Sequence, residues 1–294
     1  MKQTSSWKGY VYVIVSAVLF GCMPLGAKYV YANGVNPMSL VLYRNCLSLP
    51  VMLWMVKSRG ESLKLTSRDL GKLLALSVLG SVLTPALLYA SYNYVSSGTA
   101  TTLHFVYPAV VILAETLFCR VPLRLRQLVC VALCMAGIGM FYTPGGNVDI
   151  LGGALSLLSG VTYGSYIVLL ARLDTEHISG VKLSFYLSLI CSGIMLLACV
   201  LTGQLTLPGN LLCWGICFVF SLTLCVGAVV LFRQGTQIIG GQKAAILSTF
   251  EPITGIFVGI LMFREPFGWK VALGSILVLA AAVLIAKEKN AAKS

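Results

Sequence analysis

The chain has 294 residues, of which 58% are hydrophobic and only 10% are charged, and its mean hydropathy is +0.91. Soluble globular proteins carry about 25% charged residues, so this composition excludes a water-soluble fold and predicts a polytopic membrane protein. The net charge of +12 would also suit a nucleic-acid-binding protein, but membrane proteins concentrate lysine and arginine in their cytoplasmic loops. We therefore expect the lipid bilayer, and no nucleic acid, as a partner.

Ten apolar segments follow one another along the chain, each close to the roughly 20 residues that cross a bilayer core. Short connections separate them, and several contain turn residues, as at 33–37 and 143–147. The predicted fold is therefore an all-α membrane protein with ten transmembrane helices. Their approximate bounds are 9–31, 37–56, 71–94, 99–118, 126–142, 151–171, 182–201, 211–232, 242–263 and 267–286.

Positive charges are distributed unevenly between the predicted loops. If the N-terminus lies inside, 17 of the 21 lysines and arginines fall in inner segments, whereas the outer loops hold only Arg264 and Lys270. Lys28 and Arg44 fall within spans. Because cytoplasmic loops are enriched in lysine and arginine, we expect both termini to be cytoplasmic and the chain to be a multi-pass protein of the cell membrane.

An internal repeat divides the chain into two halves. Residues 95–142 align with 239–286 at a constant shift of 144, and nearer the N-terminus the shift is 143. The matched pairs include Ala100/Ala244, Leu103/Leu247, Pro108/Pro252, Arg120/Arg264, Pro122/Pro266, Gly9/Gly152, Ser16/Ser159 and Gly21/Gly164. The repeats are predicted to span 9–142 and 151–286, with a cytoplasmic tail at 287–294.

Each predicted repeat holds five spans, and an odd number of helices forces the second copy to insert upside down relative to the first. Inverted repeats are a recurrent plan of secondary transporters, in which the substrate site lies at the repeat interface near the bilayer midplane. The sequence therefore predicts two inverted five-helix repeats around a central site.

Two features of the chain resemble a known family. Each half ends in a proline-centred helix, a short turn and a helix of small residues. The turn Phe263-Arg264-Glu265-Pro266, followed by Gly274, is similar to a Gly-Glu turn and a following glycine that recur in that family. These features, over roughly 9–286, resemble the EamA branch of the drug/metabolite transporter superfamily, although Val121 stands where the first half would have a glutamate. The resemblance implies export of small metabolites, often amino acids, by alternating access.

Glu251 is the first candidate for a functional residue. It lies about nine residues, or about 13 Å, from the inner end of its span, which is close to the predicted midplane. A carboxylate at that depth is costly unless it is paired, hydrated or protonated. Its partner in the repeat is Tyr107. Either Glu251 binds a substrate ammonium or a proton, or it forms a salt bridge with Arg44 or Lys28.

Three basic residues within the predicted spans are further candidates. Arg44, seven residues into the second span, could bind a substrate carboxylate through two hydrogen bonds, or it could pair with a helix end or a glutamate. His104 is either a hydrogen-bonded packing residue or a site for substrate or a proton. Lys28 lies nearer the outer interface, where we expect it to snorkel.

Aromatic side chains and prolines complete the candidate site. The aromatic residues at predicted mid-depth are Phe20, its repeat partner Tyr163, Tyr89 and Phe250; each either lines the site or packs. Pro108 and Pro252 each remove an intrahelical hydrogen bond at mid-span, which predicts helix breaks that serve either a moving element or a static kink.

The leading hypothesis is a secondary-active transporter that exports amino acids or similar metabolites. One alternative is transport of lipid-like or nucleotide-linked substrates on the same fold, and another is a membrane-embedded enzyme. The sequence contains no P-loop, dinucleotide fingerprint, metal-ligand cluster or Ser-His-Asp arrangement, so we expect no cofactor and no enzymatic activity. Proton coupling and the choice between monomer and homodimer stay open.

Overall fold

The computed structural model describes residues 3–119, 125–141, 149–175, 177–239, 244, 247–265 and 268–288. Within these ranges the chain consists of α-helices joined by short connections, with no β-strand. The helices are α1 (Gln3–Gly21), α2 (Met23–Ala32), α3 (Pro37–Cys46), α4 (Leu49–Ser58), α5 (Ser67–Ser77), α6 (Thr84–Ser91), α7 (Ser97–His104), α8 (Tyr107–Cys119), α9 (Leu125–Phe141), α10 (Ile150–Arg172), α11 (Gly180–Leu201), α12 (Leu211–Ser221), α13 (Val229–Ile239), α14 (Phe250–Phe263) and α15 (Trp269–Glu288).

Seven helical tracts are long and apolar enough to cross a bilayer, which confirms the prediction of an all-α, multi-pass membrane protein. They cover Trp7–Ala32, Pro37–Ser58, Ser67–Ser91, Ser97–Leu117, Ile150–Arg172, Gly180–Leu201 and Leu211–Ile239. Three shorter apolar helices cover Gln127–Met140, Phe250–Phe263 and Trp269–Ala281. The count of ten spans stays a prediction. The location of the termini also stays a prediction, because residues 1–2 and 289–294 lie outside the described residues.

Turn residues end and begin helices where the sequence places them. Gly34 adopts a left-handed conformation with φ of +86°, and Asn36 then caps α3 by accepting a hydrogen bond of 2.8 Å from the Ser39 amide. Pro37 follows at the first helical position, where its missing N–H costs nothing. The predicted turns at Arg120–Pro122 and 143–147, and Pro266, lie outside the described residues.

Two of the long tracts each contain a π-helical stretch. These stretches cover Val78–Leu83, between α5 and α6, and Leu222–Ala228, between α12 and α13. Their first residues are 144 positions apart, which is the shift of the sequence repeat. A π-helical turn widens the helix locally and occurs frequently at functional sites.

Two other helices are interrupted just before a proline. Helix α7 ends at His104, and α8 begins at Tyr107, directly before Pro108. Helix α14 begins at Phe250 after a turn at 248–249, two residues before Pro252. Because proline has no N–H and clashes with the preceding helical turn, both interruptions fall where the two prolines require them.

Glycines bring the helices into close contact at these interruptions. A Cβ atom at Gly21 would lie 2.5 Å from the carbonyl oxygen of Glu251, so α1 packs against the start of α14. A Cβ atom at Gly164 would lie 3.0 Å from the carbonyl oxygen of Tyr107, so α10 packs against the start of α8. Small residues allow such backbone approach between helices in a membrane.

Replacing Gly164 with alanine should destabilise the protein. The added Cβ would also lie 2.9 Å from Val110, so α10 and α8 must move apart, at a cost of about 1–3 kcal/mol. Thermal unfolding of the purified protein in a neutral detergent measures the loss. Gly193→Ala in α11 is the matched control, since its added methyl group would meet no atom within 4 Å; we expect it to be neutral or to stabilise by about 0.5–1 kcal/mol. Equal effects of the two substitutions would contradict the packing role of Gly164.

Candidate functional site

A cavity of about 180 Å³ lies among α1, α2, α3, the first π-helical stretch, α6, α7, α8, α10, α13 and α14, beside the helix interruptions. Both polar and apolar side chains line it. The lining residues are Ser16, Ala17, Phe20, Met23, Arg44, Gly80, Thr84, Pro85, Leu88, Tyr89, His104, Phe105, Tyr107, Tyr163, Phe232, Ser248 and Glu251. Residues from both predicted repeats therefore meet at one cavity.

The structure brings seven of the eight predicted side chains to this cavity. They are Phe20, Arg44, Tyr89, His104, Tyr107, Tyr163 and Glu251. Phe250 is not among the lining residues, and 40% of it is exposed. Its neighbour Glu251 takes the inward position, since successive residues of a helix are rotated by about 100°.

Arg44 presents an incompletely bonded guanidinium to the cavity. Its Nη1 donates a hydrogen bond of 2.7 Å to the Tyr89 hydroxyl, and its Cζ lies 5.8 Å from the centre of the Tyr89 ring. Its Nε is buried and has no hydrogen-bond partner among the described residues. A buried donor without a partner is costly, so this atom is available to a ligand in the cavity.

The backbone around Arg44 is also fixed. The Ser221 hydroxyl donates a hydrogen bond to the Arg44 carbonyl oxygen, and Tyr89 is fully buried. The Tyr89 hydroxyl, which accepts from Arg44, donates onward to the sulfur of Met23 at 3.2 Å. The position of the guanidinium is therefore set by α6 and α12 as well as by its own helix.

The Glu251 carboxylate has no hydrogen bond or ion pair with any of the described residues. The two salt bridges considered from the sequence do not form here, because Lys28 pairs with Glu265 and Arg44 bonds to Tyr89. Glu251 lies in the first turn of α14, and the positive end of a helix dipole stabilises a negative charge there.

The hydrogen bonds of His104 determine which imidazole nitrogen faces the cavity as an acceptor. His104 Nδ1 lies 2.8 Å from the Ser159 hydroxyl oxygen. Ser159 donates its only hydroxyl proton to the Ser156 carbonyl at 2.6 Å, so in this contact Ser159 must accept from Nδ1–H. In the neutral imidazole the Nε2 lone pair is then free. Nε2 has no partner among the described residues and is not sealed from solvent.

Aromatic rings form one wall of the cavity. The Tyr107 and Tyr163 rings meet edge to face with centroids 4.9 Å apart, and the His104 ring lies 5.4 Å from Tyr163. Edge-to-face pairs of this kind add to the stability of packing. The wall presents phenol groups and ring faces to the same cavity that Arg44 and Glu251 line.

A charged cluster joins three helices at one end of the bundle. Lys28 of α2 forms a hydrogen-bonded ion pair with Glu265, just past α14. The Glu265 carboxylate also accepts from the Ser97 amide, at 2.9 and 3.0 Å, and from the Ser97 hydroxyl, at 2.8 Å, at the start of α7. The sequence did not predict this partner for Lys28, and its position relative to the membrane interface stays a prediction.

Sequence reasoning missed three polar residues that line the cavity. Ser16 donates to the Ala228 carbonyl at 2.7 Å, Thr84 shares a hydrogen bond of 2.9 Å with Thr162, and Ser248 precedes Glu251 by one turn. For Ser248 a signal was present, since it matches His104 at the repeat shift of 144. Ser16 was recognised only as a repeat match. Nothing in the sequence separates Thr84 from other threonines within spans.

The chain matches a known protein family along nearly its whole length. The profile of the EamA-like transporter family matches it twice, over residues 7–143 and 150–287. The chain belongs to this family. The family is part of the drug/metabolite transporter superfamily, and the resemblance seen in the sequence is thus confirmed.

Relatives of this EamA-like chain are named as transporters without a stated substrate. An uncharacterized transporter of Bacillus subtilis, YcbK, is 27% identical over 88% of this chain and 86% of its own length. An uncharacterized inner membrane transporter of Salmonella typhimurium, YicL, is 23% identical over 97% of each chain. A crystal structure of 14% sequence identity superposes with a TM-score of 0.65, over 97% of this chain and 99% of that one, which shows a shared fold.

The tautomer of His104 can be measured directly. The chain contains two histidines, so a His177→Asn background leaves a single imidazole for ¹⁵N-histidine NMR. At about pH 8.5, where an ordinary imidazole is neutral, we expect the proton on Nδ1. Ser159→Ala should remove this preference because Nδ1–H loses its acceptor. A proton predominantly on Nε2 before the Ser159 substitution would contradict the assignment.

The Lys28–Glu265 pair should show a measurable coupling. In a double-mutant cycle of Lys28→Met and Glu265→Gln, we expect a coupling free energy of about 1–2 kcal/mol, since both side chains are largely buried and share one network. Thermal or denaturant unfolding in detergent measures the four proteins. Glu265→Gln alone should destabilise more than Lys28→Met alone, because Glu265 also binds Ser97. Strictly additive effects would exclude the pairing.

Proposed function

We propose that this protein is a secondary-active transporter that exports amino acids or closely similar zwitterionic metabolites across the cell membrane. Membership of the EamA family and the names of its relatives support a membrane transporter. The substrate class rests on one observation. The guanidinium of Arg44 has an unpaired buried donor, the carboxylate of Glu251 has no partner among the described residues, and both line the same cavity.

A zwitterion satisfies both charged groups at once. Its carboxylate would accept hydrogen bonds from Arg44, which binds carboxylates through a planar fork of donors. Its ammonium would donate to Glu251, with His104 Nε2 as a second acceptor. A monovalent anion or cation would leave one of the two groups without a partner, and an unpaired charge in a poorly hydrated site is costly.

The volume of the cavity favours a small substrate. At about 180 Å³ it is slightly larger than the roughly 150 Å³ of an engineered cavity that holds benzene. Pockets for drug-sized ligands have volumes of about 300–1,000 Å³. The volume therefore argues against the lipid-like or nucleotide-linked substrates that the same fold could carry. The aromatic wall of Tyr107 and Tyr163 would contact the apolar part of the substrate.

The lining of the cavity supports two inverted repeats of five helices. Four pairs of lining residues are related by the repeat shifts of 143 and 144. They are Phe20/Tyr163, Leu88/Phe232, His104/Ser248 and Tyr107/Glu251. We propose a pseudo-two-fold axis that passes through the cavity and relates ten spans, with the three shorter apolar helices among them.

Close contacts between helices repeat in the same way. Gly9 meets Ile238 and Ile239, and its repeat counterpart Gly152 meets Tyr94 and Val95, which are the counterparts of those two isoleucines. The contact of Gly21 with the Glu251 backbone has its counterpart in the contact of Gly164 with Tyr107. These matched contacts support alternating access, in which each half can adopt the conformation that the other half now has, so that the cavity opens to the opposite side of the membrane.

The asymmetry between the halves determines how a substrate would be oriented. The repeat counterpart of Arg44 is Leu187, and that of Glu251 is Tyr107, so each charge occurs in one half only. We propose that Glu251 binds either the substrate ammonium or a proton, one at a time, which would couple export to the proton gradient. With both termini cytoplasmic, as the loop charges suggest, the cluster of Lys28, Glu265 and Ser97 would close the outer end.

Transport of a labelled amino acid panel by proteoliposomes tests this proposal. We expect counterflow with the purified protein, and a loss of about tenfold or more in Arg44→Gln and in Glu251→Gln, because each removes one charge-assisted contact with the substrate. An imposed pH gradient should accelerate transport by the original protein and not by Glu251→Gln. Phe250→Leu is the matched control, since its side chain lies outside the cavity, and it should retain activity within about twofold.

Substrate analogues distinguish the proposed binding of the carboxylate by Arg44 from the proposed binding of the ammonium by Glu251. A deaminated analogue should bind to the original protein and to Glu251→Gln with equal affinity, because it lacks the group that Glu251 binds. A decarboxylated analogue should bind to the original protein and to Arg44→Gln with equal affinity, because it lacks the group that Arg44 binds. Normal transport by Glu251→Gln with unchanged pH dependence would overturn the role of this residue.

A further inference from the structure

A second cavity, of about 160 Å³, lies among α4, α11, the second π-helical stretch and α13. It shares no lining residue with the central cavity. Its lining residues are Met52, Met55, Arg59, Gly180, Val181, Ser184, Cys225, Val226, Val229, Val230, Arg233, Gln234 and Gln237. Two arginines from opposite predicted repeats thus face one space, at the end of the bundle that the loop charges assign to the cytoplasm.

Neither arginine is neutralised by the part of the chain that the structure describes. Arg59 and Arg233 have no hydrogen bond or ion pair with any of the described residues. Glu61, two residues after Arg59, instead accepts a hydrogen bond from the Ser179 hydroxyl. Two like charges that border one small space repel each other, so an anion between them would remove an unfavourable interaction.

Gly180 makes room for one of the two guanidiniums. A Cβ atom at this position would overlap the Arg233 guanidinium, with Nη1, Cζ and Nη2 all closer than any real contact. The first residue of α11 is therefore a glycine at the point where Arg233 crosses it. The absence of a side chain at position 180 therefore leaves space for the Arg233 guanidinium beside the start of α11, where it lines the cavity.

The other lining groups suit an anion with an organic part. The amides of Gln234 and Gln237 can donate hydrogen bonds, whereas the Ser184 hydroxyl already donates to the Gly180 carbonyl at 2.9 Å. Met52, Met55 and the valines supply an apolar side. The cavity of about 160 Å³ is large enough to hold the five heavy atoms of a phosphate group.

We propose that this cavity is an anion site that binds a phosphate group between Arg59 and Arg233. Two guanidiniums offer forked donors that match phosphate oxygens, and their combined charge suits a phosphate better than a single carboxylate. The group would belong either to an anionic lipid headgroup, as in basic pockets between helices on the cytoplasmic side, or to free phosphate. The site is independent of the substrate proposed for the central cavity.

An occupied site would be adjacent to the central one. Cys225 lines the second cavity, and its thiol donates to the Arg44 carbonyl at 3.4 Å. One side chain therefore separates the anion site from the backbone of the residue that we assign to substrate carboxylate binding.

Thermal unfolding of the full-length protein in a neutral detergent tests the proposal without any transport assay. One arm adds inorganic phosphate at constant ionic strength, and the other adds phosphatidylglycerol, with phosphatidylcholine as the reference lipid. We expect at least one arm to raise the unfolding temperature in a saturable way. Stabilisation by phosphate identifies a free anion as ligand, and stabilisation by phosphatidylglycerol alone identifies the lipid headgroup. No saturable shift in either arm would overturn the proposal.

Substitutions test whether the ligand that raises the unfolding temperature binds in this cavity. Arg59→Gln with Arg233→Gln should raise the apparent Kd roughly tenfold or more, because charge-assisted hydrogen bonds are lost. Gly180→Ala, which displaces Arg233, should weaken binding in the same direction. Lys57→Gln is the matched control, since it removes an exposed positive charge two residues from Arg59 without altering the cavity. An equal loss of binding in Lys57→Gln would reduce the effect to general surface charge and contradict the site.

Discussion

The cost of placing charged and unbonded polar groups in hydrocarbon organises this protein. Arg44 and Glu251 would each be expensive on a lipid-facing surface, so the helices that carry them must turn these side chains towards the interior of the bundle. The same constraint applies to the backbone, because the interruptions before Pro108 and Pro252 free carbonyl and amide groups that only protein or a hydrated cavity can satisfy. The charged groups and the broken helices are therefore found together, around one internal space.

Close packing at glycines allows that space to exist without opening the bundle to lipid. The contacts of Gly21 with Glu251 and of Gly164 with Tyr107 bring an intact helix against the start of an interrupted one on both sides of the cavity. Lipid tails are as apolar as leucine, so helix association in a bilayer depends on such close contacts and on hydrogen bonds. Here both occur on α10, which carries Gly164 and also Ser159, the partner of His104.

The two ends of the bundle differ in how their charges are arranged. At one end Lys28, Glu265 and Ser97 form a compact network in which each charge has a partner. At the other end Arg59 and Arg233 face a cavity and have no partner among the described residues. The Lys28–Glu265 network is thus internally paired, whereas the two arginines at the other end lack partners among the described residues, and this contrast is the basis of the anion site proposed there.

The sequence alone determined the class of the protein, its all-helical fold and seven of the residues that line the central cavity. Composition excluded a soluble fold, and the repeat matched Glu251 with Tyr107 because a constant shift carries positional information over the whole chain. The sequence could not determine the partners of the charged side chains. Whether Lys28 pairs with Glu265 or Glu251, and whether Phe250 or Glu251 faces inward, depends on helix rotation and on contacts between distant segments. Only the packed tertiary structure decided them, because side-chain pairing is a property of neighbours in space and not of neighbours in the chain.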